Sequence, residues 1–244
     1  TRHASPDFPE ARVELQPLQR PLALLFRALG GGAGVALEAA GARDLLLRRN
    51  LLQQVAGTCQ QLPVAWCDSD NLRLPASLAV YPEAALNAEL YRWLALLAAR
   101  AGDMRHWARD NQRRTCELLD AYPALQARYA RLIDAHLPLR PDPAQLPGAE
   151  GELEDALQQA LRNPGSVSQF PRSERAPWPL PLWLYPADNL GEPQAAQRAE
   201  EGEGNLETPP GGESRQRKRA RRVEESSGKD GLLLFRLENL FSWS

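Results

Sequence analysis

The sequence is poor in cysteine. Its 244 residues include three, Cys59, Cys67 and Cys116. They are too few and too widely spaced for a disulfide framework of the kind that stabilises small secreted domains. An odd number of thiols is typical of a reducing compartment, so the sequence predicts a cytoplasmic protein.

Long hydrophobic runs are also missing. The richest stretch, residues 90–101, is interrupted by Arg92 and is shorter than the roughly 18 apolar residues that cross a bilayer. The first residues show no basic region leading into an apolar one, so no secretory signal is expected there. The net charge of −2 excludes a general attraction of the whole chain to nucleic acid or anionic lipid. We therefore predict a soluble protein without direct membrane insertion.

Apolar residues at helical spacing are plentiful. Hydrophobic residues make up 43% of the chain and charged residues 25%, as in ordinary globular domains. Leucines and aromatics recur at three- and four-residue steps, the period of an amphipathic helix. The segments with this spacing are residues 15–29, 86–97, 104–119, 125–136 and 153–161. Gly30, Gly31 and Gly32 are expected to end the first helix.

The interval between the first two of these helices has a mixed pattern. Residues 45–55 favour another helix, whereas residues 35–37 and 72–74 fit short strands of a small β-hairpin. Short joints between consecutive helices are typical of a bundle. The predicted fold is therefore mainly α, a helical bundle with a small β-hairpin.

Changes in composition divide the chain into four predicted parts. Residues 1–165 form the helical domain, and residues 166–190 form a strap rich in proline and aromatic residues, which favours an extended conformation. This strap either lies across the bundle or receives a partner. Residues 191–230 have almost no large apolar side chains and are predicted to be a disordered charged linker. Residues 231–244 are apolar and read as the start of a truncated following domain.

No motif in the sequence predicts catalysis, cofactor binding or a metal site. The glycines of residues 30–34 are not followed by the lysine and Ser or Thr of a phosphate-binding loop. The cysteines and histidines lack the spacing of a zinc site, and no nucleophile has a base at a suitable distance. His106 and His136 are interpreted as packing or surface residues. The turn at residues 68–71 lacks the oxygen ligands of a calcium loop.

Two groups of residues are candidate partner contacts. The first is aromatic and lies in the strap, because aromatic side chains dominate the energetics of interfaces; its members are Trp178, Trp183 and Tyr185. The second is a basic run in the linker; its members are Arg215, Arg217, Lys218, Arg219, Arg221 and Arg222. The linker holds nine acidic and eight basic residues, so mutual screening is the simpler interpretation of this run. Nucleic-acid binding through it is an alternative prediction.

Four segments, in this order, resemble the amino-terminal part of the NorD denitrification accessory proteins, which are relatives of the CbbO Rubisco-activation proteins. They read RPLALLFRALGG at residues 20–31, RRNLLQ at 48–53, LPLWLYP at 180–186 and FRLENL at 235–240. In that family a von Willebrand factor A domain follows, whose Asp-x-Ser-x-Ser motif binds a divalent cation. The motif does not occur in these 244 residues, so no metal ligand is transferred to this chain.

The resemblance implies a non-catalytic adaptor that works with a MoxR-type AAA+ ATPase. Its expected client is nitric oxide reductase, and the resemblance implies insertion of non-haem iron as a step in the activation or maturation of that enzyme. A CbbO-like role in Rubisco activation is the alternative from the same family. The sequence leaves open the client, the surface that binds the ATPase, the oligomeric state and whether the linker orders on binding.

Overall fold

The computed structural model describes residues 7–40, 64–100, 102, 104–175 and 177–186. These residues all fall within one compact unit of the chain, Thr1–Ala199. They form five α-helices: α1 (Gln19–Ala28), α2 (Ala84–Ala99), α3 (Trp107–Ala121), α4 (Gln126–His136) and α5 (Gly148–Arg162). They also form six short strands: β1 (Val13–Glu14), β2 (Ala36–Ala39), β3 (Ala65–Cys67), β4 (Asn71–Leu74), β5 (Ser77–Leu78) and β6 (Leu184–Tyr185).

The mainly helical architecture agrees with the sequence pattern. Helix α2 is the centre of the unit, because it is buried around most of its circumference and packs against α1, α3, α4 and several strands. Its buried Asn87 binds four backbone groups, two at Tyr81 and one each at Val80 and Ala11. Within the described part of the chain, no helix is both long and apolar enough to cross a membrane.

Helix α1 ends next to the three glycines that the sequence predicts as its end. The backbone of Gly30 has a φ of 95°, a left-handed conformation that glycine adopts without steric cost. The N–H of Gly31 then donates to the carbonyl of Phe26 at 3.0 Å, and the N–H of Gly30 donates to that of Arg27 at 3.1 Å. This pair of bonds is a Schellman motif, which satisfies carbonyls that the end of the helix leaves open.

The strands form two sheets. Strands β1 and β5 pair antiparallel, and the other four form a sheet of order β2-β4-β3-β6. The two predicted strands, residues 35–37 and 72–74, are present, but they pair in parallel and so do not form a hairpin with each other. The hairpin is instead β3 with β4. Its turn is held by the Asp68 carboxylate, which accepts the N–H groups of Asp70 and Asn71 at 2.9 and 2.7 Å.

Residues beyond the predicted domain end at 165 pack with the helices. Leu180, Leu182 and Leu184 are buried, and β6 extends the four-stranded sheet beside β3. The strap thus completes the core between the sheet and helices α2 and α3. The predicted helix at residues 45–55, the linker at 191–230 and the segment at 231–244 lie outside the described residues.

Candidate interaction site

Side chains of the helices hold the strap by its backbone. The amide of Asn111 on α3 donates to the carbonyl of Leu184 at 2.8 Å and accepts its N–H at 3.0 Å. A single amide side chain thus satisfies both backbone groups of one residue, as a neighbouring strand would. Because Asn111 is fully buried, these bonds are shielded from water. We call the residues that grip residues 165–185 in this way the strap clasp.

Two indoles extend the strap clasp. Trp93 on α2 donates its Nε1–H to the carbonyl of Leu182 at 2.9 Å, and Trp107 on α3 donates to the carbonyl of Leu184 at 3.0 Å. Several domains also use aromatic side chains to bind an extended, proline-rich ligand that belongs to another chain. Here the proline-rich segment belongs to the same chain.

The start of the strap is held by Gln112. Its side-chain amide donates to the carbonyl of Val167, and its Oε1 accepts the N–H groups of Gly165 and Val167 at 3.3 and 3.4 Å. Asn111 and Gln112 are neighbours on α3, yet they bind strap residues that are 17 or more positions apart in sequence. Helix α3 therefore holds the strap both at its start and at Leu184.

A buried ion pair anchors the middle of the strap. Arg140 and Glu154 each have a side chain that is 2% exposed, and they form two bonds, Nε to Oε1 at 2.7 Å and Nη2 to Oε2 at 2.6 Å. The remaining Nη1 of Arg140 donates to the carbonyl of Pro179 at 3.1 Å. Gln158 donates to Glu154 at 2.9 Å and to the carbonyl of Pro141 at 2.9 Å. Bidentate geometry offsets the desolvation of the two charges.

The aromatic residues predicted as partner contacts lie at this site, but not all are exposed. Trp183 is 1% exposed and packs edge-on against Trp107, with ring centroids 5.3 Å apart. Tyr185 is half-buried, stacks at 5.3 Å on the same indole, and accepts the N–H of Leu180 through its hydroxyl. Trp178 is half-buried. In this conformation Trp183 offers no surface to a partner, so that role stays a prediction that requires the strap to leave its place.

The basic run is outside the part of the chain that the structure describes. Its predicted contact residues, Arg215, Arg217, Lys218, Arg219, Arg221 and Arg222, therefore stay predictions. Sequence reasoning did not find Asn111, Gln112, Arg140 or Glu154. The one available signal was their position: each is a polar residue on a helix or turn where the apolar stripe would otherwise continue.

The two cysteines within the described residues do not resemble activated nucleophiles. Burial raises the pKa of the Cys67 thiol to about 11, with a further contribution from Asp68. Burial and the carboxylate of Asp120 raise the pKa of Cys116. Both thiols therefore remain protonated near neutral pH, whereas a reactive cysteine needs its thiolate.

Cys116 lies in a shallow cleft of about 270 Å³ between α3 and the start of the strap, also lined by Arg109, Arg113 and Val167. In the described residues no group of three or more His, Cys, Asp or Glu side chains is arranged to hold a metal ion. The cleft is smaller than most small-molecule sites, which measure about 300–1,000 Å³.

The whole length of the chain is similar to curated proteins. It is 75% identical over 244 residues to Protein NorD of Stutzerimonas stutzeri. This chain is an amino-terminal part of a NorD-type protein. It is also 60% identical over 244 residues to an uncharacterized protein of Pseudomonas aeruginosa, and 30% identical over 200 residues to Protein NorD of Brucella abortus.

These matches cover only part of the length of each relative. The chain spans 40% of the length of the first two relatives, and its match to the Brucella protein covers 73% of the chain and 31% of that relative. No protein-family model and no solved structure matches the chain. The resemblance stated from four short segments is thus confirmed over the full 244 residues.

Proposed function

We propose that this chain is the amino-terminal module of a cytoplasmic, non-catalytic adaptor that acts in denitrification. The complete protein works with a MoxR-type AAA+ ATPase and promotes activation or maturation of nitric oxide reductase. The observation that carries the proposal is the 75% identity, over all 244 residues, to a protein named NorD. The partner and the client come from the resemblance of the sequence to the NorD accessory proteins.

The way this unit uses its buried polar groups supports a binding role. Asn111, Gln112 and Arg140 direct their hydrogen-bonding groups to the backbone of the strap, and Glu154 directs its carboxylate to Arg140. A catalytic centre needs polar groups that converge on a reacting atom. The convergent groups found here bind the chain itself, as expected for a rigid module that presents surfaces.

A deletion strain tests the assignment to a client. The gene for the complete protein is deleted in its host, and nitric oxide reductase activity is measured in membranes together with the amount of the reductase polypeptide. We expect activity to fall at least tenfold while the polypeptide is still made, and to return when the complete protein is supplied. Normal reductase activity in the deletion strain would contradict the proposal, and a selective loss of Rubisco activity would favour the CbbO-like alternative.

A further inference from the structure

The outer face of helix α1 differs from the exposed faces of the other described helices. Leu24 is 64% exposed, and no other large hydrophobic side chain in the described residues is exposed. A single exposed leucine is ordinary in itself. Here, however, the neighbouring Pro21 is also exposed and Ala28 is half-buried, so the leucine belongs to an apolar stripe.

Two arginines lie along one edge of this stripe. Arg20 and Arg27 are exposed, and neither forms an ion pair with any residue that the structure describes. At about 100° per residue, Arg20, Leu24 and Arg27 lie within roughly 60° of the helix circumference, opposite the buried Leu22, Leu25 and Phe26. The two arginines are seven residues apart, or about 10 Å along the axis. We call Arg20, Pro21, Leu24, Arg27 and Ala28 the α1 face.

Helix α1 carries no acidic residue, so the two positive charges on this face are uncompensated within the helix. Exposed arginines elsewhere in the unit often have carboxylate partners, as Arg113 has in Asp110 and Glu117. Arginine combines a long apolar stem with a charge that binds carboxylates in a bidentate manner, and it is enriched at interface hot spots. The face therefore combines an apolar stripe with a positively charged edge.

From this arrangement we propose that the α1 face is a docking surface for an acidic segment of a partner protein. The fitting segment presents a leucine-sized side chain between two carboxylates about 10 Å apart, so that the apolar groups pack centrally and each carboxylate binds one arginine. Charge complementarity selects this occupant. The inference rests on the proposed adaptor role for its biological meaning, but its test does not use the ATPase or the reductase.

The test uses a defined peptide probe and the 244-residue chain. The probe is an alanine-based helical peptide with one leucine between two glutamates seven residues apart, labelled for fluorescence anisotropy. A second peptide carries lysine in place of both glutamates. The chain is compared with the charge-reversal variant Arg20→Glu/Arg27→Glu and with the control Arg131→Glu/Arg172→Glu, which makes the same charge change at two other exposed arginines.

We expect the glutamate peptide to bind the native chain and the control variant with similar affinity. Binding should weaken at least tenfold in Arg20→Glu/Arg27→Glu and in 0.5 M NaCl, since exposed charges are screened. The lysine peptide should prefer Arg20→Glu/Arg27→Glu, and Leu24→Ser should weaken binding of the glutamate peptide. Circular dichroism checks that each variant is folded.

Three results would overturn the proposal. The first is no detectable binding of the glutamate peptide to the native chain. The second is equal weakening in Arg20→Glu/Arg27→Glu and in the control. The third is a concentration-dependent dimer that Arg20→Glu/Arg27→Glu dissociates, since this would assign the face to a second copy of the chain. None of these results bears on whether the complete protein associates with an ATPase, so failure of this inference is distinguishable from failure of the proposed function.

Discussion

Folding of this unit should weaken as the pH falls below about 6.5, because of the environment of His136. The imidazole is 4% exposed, and neither of its nitrogens has a hydrogen-bond partner in the described residues. The ring of Tyr81 lies edge-on to it, with ring centroids 6.1 Å apart. Burial, together with the positive charge of Arg140, lowers the pKa of His136 to about 3.

The sign and size of the effect follow from proton linkage. In the unfolded chain the pKa of His136 is about 6.5, so the unfolded state takes up a proton as the pH passes that value. The folded state does not take it up until the pH approaches 3. Between these limits each decrease of one pH unit lowers the free energy of unfolding by about 1.4 kcal/mol. From pH 7 to pH 5 the loss from this single residue is therefore about 2 kcal/mol.

Urea unfolding of the native chain and of His136→Phe, at pH 7 and at pH 5, measures this contribution. The difference in free energy of unfolding between the two proteins should shift by about 2 kcal/mol in favour of His136→Phe at the lower pH. The matched control is His106→Phe, because that side chain is exposed. The reasoning is refuted if the difference is the same at both pH values, or if NMR shows that His136 of the folded native chain becomes protonated near pH 6.5.

Three further substitutions test the buried ion pair, the strap clasp and the end of helix α1. Glu154→Gln leaves the charge of Arg140 buried without its partner, so it should lower the free energy of unfolding by about 3–5 kcal/mol in a urea titration. Asn111→Leu removes both side-chain bonds to Leu184 and should cost about 1–3 kcal/mol, with faster hydrogen exchange at the Leu184 N–H. Gly30→Ala places a side chain at a φ of 95° and should cost about 1 kcal/mol, measured as a lower midpoint in urea.

Two of these substitutions have a matched control variant, which separates the proposed cause from general destabilisation. Glu152→Gln removes an exposed carboxylate from the same helix as Glu154 and should change stability by less than about 0.5 kcal/mol. Gly34→Ala serves for Gly30, because a Cβ meets open space at both positions but Gly34 does not have a positive φ. Equal losses in a substitution and its comparison would contradict the mechanism given for it. For Asn111→Leu, unchanged exchange at Leu184 would contradict the role assigned to the strap clasp.

Local patterns are sufficient to predict the five helices of the described residues. In α1 the spacing of Leu22, Leu25 and Leu29 reflects the face that packs inward, and Gly30 marks the end because only a residue without a side chain enters that conformation freely. His136 was interpreted as a packing or surface residue on an apolar stripe, and it is a packing residue. These features depend on neighbours within one or two helical turns, which a sequence displays directly.

Long-range pairing was not predictable in the same way. The patterns of residues 35–37 and 72–74 predict strands, but a local pattern does not say which strands pair. The structure pairs them in parallel and places β3 beside β4 instead.

The strap clasp shows the same limit. Asn111 and Leu184 are 73 residues apart, and a buried amide that binds an extended backbone has no periodic signature. The aromatic residues of the strap predict a contact site there. They do not show that the core of the same chain buries Trp183. A composition rich in proline and tryptophan predicts an extended segment with large apolar groups; it does not say whether the surface that covers them belongs to the same chain.

The proposed association of the complete protein with a MoxR-type ATPase is tested most directly with the purified partners. The complete NorD-type protein and the MoxR-type ATPase from the same host are mixed with ATP and separated by size-exclusion chromatography with light scattering. We predict a joint peak of defined stoichiometry and a changed rate of ATP hydrolysis. Separate elution of two folded proteins, with unchanged hydrolysis, would contradict the proposed association.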